Sequence, residues 1–275
     1  MQTMLEYSNK NSFVHKLTGA AKILFLLAYI LASMISYDTR LLVGLLVLSI
    51  IIFKVSKVEF KEISFVFYFI IIFLVINTIA IYLISPYQGC EIYGTKTVLF
   101  KITNYYQVTS EQLFYQLNFV LKYLLITPMA LIFMVATNPS EFAASLNKIG
   151  VSYKIAYSVA IALRYVPDIQ REYHDIAFAQ QARGIDMSKK ASAITRVKNA
   201  SVIIMPLIFS SLEKIDKISC AMEIRAFGSK EKRTWYSGKK FAKSDYAVMI
   251  FGLCLVILAG YLVYVNGGRF YNPFI

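Results

Sequence analysis

Few side chains in this 275-residue chain have the types and spacing that chemistry needs. Glu172, His174 and Asp175 lie close together and carry the groups of an acid–base cluster. On a helix Glu172 and Asp175 share a face, but His174 falls about 200° from Glu172 at 100° per residue. A solvated polar face describes them better than a proton relay. Cys90, Cys220 and Cys254 stand at unrelated spacings, and His15 and His174 are the only histidines, so no His/Cys metal cluster can be assembled. No GxxxxGK(S/T) phosphate loop occurs, which leaves any nucleotide energy to a partner. The sequence therefore predicts no catalytic residue, no cofactor and no metal. What remains is a pair of arginines, Arg183 and Arg225, in matching surroundings.

The segments carrying them repeat. One reads DIQREYHDIAFAQQARG after Pro167, and the other reads LIFSSLEKIDKISCAMEIRAFG after Pro206. Each is predicted to open at its proline, carry a narrow apolar stripe and close on an arginine with uncharged neighbours. The stripes are Ile169, Tyr173 and Ile176 in the first, and Ile208, Leu212, Ile215 and Met222 in the second. The tips are Ala182-Arg183-Gly184 and Ile224-Arg225-Ala226. Pro206 to Arg225 makes about 30 Å of helix, a long lever with a cationic end. One arginine at a helix C-terminus is explained by the helix dipole, which it complements by roughly 0.3–1 kcal/mol. Two copies on long helices favour a docking role, because a guanidinium can enter a groove and grip a carboxylate with two parallel bonds, which lysine cannot.

Upstream lies Asn138-Pro139-Ser140-Glu141, a capping-box-like helix start. Phe142, Leu146 and Ile149 line one face of that helix, and Gly150 ends it. A second helix is predicted through Ile155, Val159 and Ala162 as far as Pro167. Such amphipathic helices belong at the cytosolic membrane surface or beneath the spans.

The remainder of the chain is oily. Apolar residues make up 57% and charged residues 16%, against roughly 45–50% and 25% in a soluble domain. Spans of about 20 apolar residues are predicted at 17–37, 63–85, 117–136 and from 246. The stretch 41–58 is read as a further span, extended by snorkelling Lys54 and Lys57, with a re-entrant or interfacial segment as the alternative. Lys22 is placed at a helix end within reach of headgroups, and Lys122 is expected to snorkel outward. Pro128 reads as a kink held by neighbouring helices. Residues 86–111 give no clear assignment.

The net charge is +13, and 18 of 29 Lys/Arg lie between Thr137 and Asp245. Lys10, Lys16 and Lys22, the Lys54–Lys61 connection and the large block all fall on one side of a five-span path, so the amino terminus is predicted to be cytosolic. The carboxyl terminus is then outside, with Arg269 its only charge. The basic patches Lys189, Lys190, Arg196 and Lys198, Lys230–Arg233 and Lys239–Lys243 sit on a membrane-tethered segment, where anionic lipid explains them better than nucleic acid. Trp235 and Tyr236 fit an interfacial anchor. The predicted protein is an all-α integral membrane protein with about five transmembrane helices. Residues 1–136 form a membrane domain, 137–245 a cytosolic coupling domain inserted before the last span, and 246–275 the final transmembrane helix and external tail.

The motifs NPSEF, LNKIGV, ALRYVP, AQQARG and AMEIRAFG resemble those of the transmembrane T component of energy-coupling-factor transporters, ATP-driven importers of micronutrients in prokaryotic plasma membranes. Members carry two Ala-Arg-Gly-like signatures at the ends of crossed coupling helices. The first is intact at Ala182-Arg183-Gly184, while the second departs from the pattern at Ile224-Arg225-Ala226. The resemblance implies a non-catalytic scaffold. Each signature arginine would dock on one of two cytosolic ABC ATPase subunits, and the helices would hold and move a membrane-embedded S component that binds the vitamin or metal ion. A conventional ABC importer permease is the alternative, with residues 138–167 as its coupling loop; it would be a homodimer, whereas a T component is present once.

Overall fold

The computed structural model describes residues 12–101, 106–185, 193–229, 234–235 and 238–274, without the side chains of 61–63 and 193–198. Uninterrupted runs of Leu, Ile, Val and Phe leave the backbone no partner but itself in lipid, so helices dominate. In order these are α1 (Phe13–Lys16), α2 (Gly19–Ile35), α3 (Thr39–Ser56), α4 (Phe60–Ile84), α5 (Gln88–Tyr93), α6 (Ser110–Ala136), α7 (Pro139–Lys148), α8 (Tyr153–Ala182), α9 (Ala193–Ile224) and α10 (Lys243–Val265). The protein is an all-α integral membrane protein. Among the described residues four helices are long and apolar enough to cross a bilayer: α3, α4, α6 and α10. The predicted fifth, α2, is apolar but has only 17 residues. The doubtful stretch 41–58 is continuous helix over Thr39–Ser56, capped by Asp38, whose carboxylate accepts the Arg40 amide at 2.9 Å.

Two compact units divide the chain. The first comprises residues 1–141 and 239–275. Within it α10 lies along α2, and α6 packs against α2, α3 and α4. Its core gathers Phe25, Tyr29 and Ala32 from α2, Leu41, Leu42 and Leu45 from α3, Leu125, Met129 and Ile132 from α6, and Ala259 from α10. Tyr29 is fully buried and donates its hydroxyl to the Leu45 carbonyl at 2.8 Å. Outward faces of α4 and α10, such as Phe65, Phe69, Ile72, Ile250, Leu253 and Ile257, are exposed, as lipid-facing surfaces are.

The stretch 86–111 holds the short helix α5 and an antiparallel hairpin, β1 (Val98–Lys101) with β2 (Gln107–Thr109). The hairpin delivers the chain into α6, which begins at Ser110, seven residues before the predicted span. Glu111 accepts the Thr97 amide at 3.0 Å, and Gln112 accepts the Gly89 amide at 2.7 Å. Gly89 lies so close to α6 that a Cβ there would stand 2.4 Å from the Glu111 carbonyl oxygen.

Two lysines differ from expectation. Lys22 does not reach for headgroups: it is buried and donates to the Ala136 carbonyl at 2.8 Å, covering the C-terminus of α6. Lys122 does not snorkel outward, because its ammonium sits 3.1 Å over the Tyr37 ring, where a cation–π contact replaces water. The carboxyl-terminal tail folds back onto the same region. Arg269 donates to the Met34 carbonyl at 2.7 Å, its own carbonyl accepts the Tyr37 amide at 2.7 Å, and Asn272 donates to the Tyr93 carbonyl at 3.0 Å.

Candidate functional site

The second unit, residues 142–238, carries both arginine tips. Asn138 caps the start of α7 by accepting the Ser140 amide at 2.9 Å. Glu141 bonds outside that helix start, accepting from Gly19 at 2.9 Å and Lys239 at 3.0 Å. Gly150 takes φ +105 and closes α7, with the Val151 amide reaching the Leu146 carbonyl, as the sequence led us to expect.

The prolines do not bound helices. α8 runs through Pro167 for 30 residues, and α9 runs through Pro206 for 32. A proline deletes one amide and strands one carbonyl, those of Leu163 and Val202 here, but the many remaining bonds on both sides carry the helix through. The predicted levers are therefore too short: the rods are about 45 and 48 Å long at 1.5 Å per residue.

The two rods pack antiparallel. Tyr153 and Tyr157, at the start of α8, meet Phe227, just past the end of α9, with ring centroids 5.5 and 4.7 Å apart. Trp235 closes this knot against Tyr157 and donates its indole N–H to Asn147 at 3.1 Å, so it is a packing residue of this unit. Tyr236, Lys189, Lys190 and Lys230–Arg233 lie outside the described residues, as do the side chains of Arg196 and Lys198. Further along, Lys214 of α9 donates to Glu172 Oε2 at 2.6 Å, and the Ser210 hydroxyl donates to Glu172 Oε1. These bonds from Lys214 and Ser210 hold the Glu172 carboxyl below its usual range, and the carboxylate holds Lys214 above its own.

Glu172 thus ties two helices on a polar face that is otherwise open to solvent, and it is not part of a proton relay. His174 and Asp175 are exposed; Asp175 rims the same open cleft as Glu172, while the His174 ring stands edge-on to Tyr173. Among the described residues no group of His, Cys, Asp and Glu could hold a metal ion. Nothing in the sequence pattern alone had pointed to the Tyr153–Tyr157–Phe227–Trp235 knot. The Glu172–Lys214 tie did have a signal, since the pair repeats the 42-residue spacing of the arginines.

The two tips share one backbone geometry. Arg183 follows the last helical residue of α8, Gly184 takes φ +87, and the Ile185 amide returns to the Gln180 carbonyl at 3.1 Å. Arg225 follows the last helical residue of α9, Ala226 takes φ +51, and the Phe227 amide returns to the Met222 carbonyl at 2.9 Å. Both are Schellman endings with arginine immediately before the left-handed residue. The sequence departure at Ala226 therefore leaves the fold of the tip unchanged. Arg183 and Arg225 are both exposed, and Ile224 beside the second is 87% exposed. The structure does not bring Ala182, Arg183 and Gly184 together with Ile224, Arg225 and Ala226. It sets them at opposite ends of the pair.

Residues 10–236 match the profile of the CbiQ family, described as cobalt transport protein, and the chain belongs to that family of membrane transport proteins. It is similar along nearly its whole length to proteins named energy-coupling factor transporter transmembrane protein EcfT. That of Clostridium kluyveri is 29% identical over 269 residues, covering 94% of this chain and 95% of the relative. Those of Staphylococcus aureus, 24% identical over 86% of this chain and 87% of its own, and Bacillus subtilis, 26% identical over 95% and 97%, agree.

Proposed function

We propose that this chain is the transmembrane scaffold of an energy-coupling-factor importer, transmitting ATP-driven motion from two cytosolic ABC ATPase subunits to a membrane-embedded S component. The observation that carries this reading is the pair of matching helix ends, each presenting an exposed arginine before a left-handed turn. Arg183 docks on one ATPase subunit and Arg225 on the other, with Ala182, Gly184, Ile224 and Ala226 shaping the two tips. The scaffold hydrolyses no nucleotide itself, in keeping with the missing phosphate loop. The cargo is a micronutrient, a vitamin or metal ion, and the S component selects it.

Residues 1–136 and 246–275 form the membrane domain and 137–245 the coupling domain, with the amino terminus and the coupling domain in the cytosol and the tail outside; the Lys/Arg placement supports this orientation. Coupling demands that α8 and α9 contact ATPase and S component differently in at least two states. The test is uptake by the whole complex carrying Arg183→Glu and Arg225→Glu. Loss of uptake together with loss of ATPase co-purification is expected. Wild-type uptake by the double variant refutes the docking role.

A further inference from the structure

We infer that the Glu172–Lys214 ion pair is the fulcrum of the helix pair, a positioning element that fixes where the two arginine tips stand. Lys214 lies 42 residues after Glu172, and Arg225 lies 42 residues after Arg183. The residues that meet at the tie are therefore equivalent positions of the repeat. In an antiparallel pair, equivalent positions meet only near the local two-fold axis. Each tip then stands 11 residues beyond the tie, from Glu172 to Arg183 on α8 and from Lys214 to Arg225 on α9. The arms are equal, about 16 Å each, and place the tips about 30 Å apart on opposite sides of the tie.

The chemistry of the tie suits a fulcrum. Glu172 has both carboxylate oxygens engaged from the other helix, one by Lys214 and one by Ser210. Two bonds to one carboxylate fix its orientation as well as its position. The Glu172 side chain is 18% exposed and Lys214 is 41% exposed, so the pair sits half out of water at the bottom of a shallow cleft. Tyr165, Asp168, Arg171, Asp175 and Lys217 rim that cleft. Near the tie the apolar residues of α9 are poorly covered: Ile208 and Leu212 are about half exposed, whereas Ala177 of α8 is buried. Away from the aromatic knot at the Arg225 end, Glu172, Ser210 and Lys214 supply a directional contact between the rods. Coupling through this fulcrum rests on the docking role proposed for Arg183 and Arg225; the geometry of the fulcrum does not.

The experiment places nitroxide labels at Gln181→Cys and Glu223→Cys, one beside each tip, on the full chain in lipid nanodiscs with Cys90, Cys220 and Cys254 replaced by serine. Pulsed dipolar spectroscopy on this parent should give one narrow distance distribution. Glu172→Lys, which sets two ammonium groups face to face, should broaden it at least two-fold. Lys214→Ala, which removes the cation without like-charge repulsion, should broaden it as well. The exchanged pair, Glu172→Lys with Lys214→Glu, should restore the parental width. An unchanged width in both single variants, or no restoration in the exchanged pair, overturns the fulcrum. Because the distances need no ATPase subunit, these outcomes are separate from uptake by the Arg183→Glu and Arg225→Glu variants. Wild-type uptake there sinks the docking role and leaves the fulcrum standing.

Discussion

Position 226 asks an alanine to hold the left-handed conformation that Gly184 holds at the other tip. A Cβ in that region costs about 1–2 kcal/mol, partly offset by the lower entropy of the unfolded alanine chain. Ala226→Gly should therefore stabilise the protein by about 0.5–1 kcal/mol, and Gly184→Ala should destabilise it by about 1 kcal/mol, read as opposite shifts of the thermal midpoint in nanodiscs. Gly89→Ala is a different case, a collision with the α6 backbone and not a strained dihedral. It should cost about 1–3 kcal/mol by the same measurement, as overpacking does. The two arginines and the first glycine were legible in the sequence because a helix-ending pattern is local. Ala226 was not, since alanine carries no mark of positive φ and only the returning amide of Phe227 reveals it. Lys122 was misread for a related reason: the Tyr37 ring that receives it is 85 positions away in sequence.

Among the elements, the α8–α9 pair responds to pH through its tie. The Glu172 carboxyl is lowered from 4.5, so its stabilising contribution is present above 4.5 and is lost as pH falls through the lower folded value. The Lys214 ammonium is raised from 10.5, so its contribution is present below 10.5 and is lost as pH rises through the higher folded value. Neighbouring Asp168 and Tyr165 also favour the charged lysine. The tip-to-tip distance should therefore stay constant across the neutral range and spread only in acid below 4.5 or in strong base above 10.5. Pro167→Ala returns an amide donor to the Leu163 carbonyl and should raise the thermal midpoint, with slower amide exchange at residue 167 than at the flanking positions. Helix periodicity marked where α8 and α9 carry apolar residues, and it was right about their helical character. It set their ends wrongly because a proline is a strong local signal, and 30-residue helices have enough bonds on either side to override it.

For the whole molecule, membrane sidedness is the testable consequence. With native cysteines replaced, Pro273→Cys in the exposed tail should react with an impermeant maleimide applied to intact cells, and Lys217→Cys on α9 should not. The reverse labelling would invert the proposed topology. Hydropathy disclosed the long membrane helices, since lipid demands uninterrupted apolar runs. It did not disclose the hairpin at β1 and β2 or the folded-back tail, whose contacts join residues far apart in sequence. α2 is pinned at both ends, by Lys22 on the Ala136 carbonyl and by Arg269 on the Met34 carbonyl, and it turns Leu27, Leu31 and Met34 outward. At 17 residues it is about 26 Å long, against about 30 Å of hydrocarbon and about 38 Å for α4. A bilayer of uniform thickness matches both helices only when α4 tilts. Lipid thins beside α2 and thickens beside an upright α4, so the protein couples local membrane thickness to the tilt of α4.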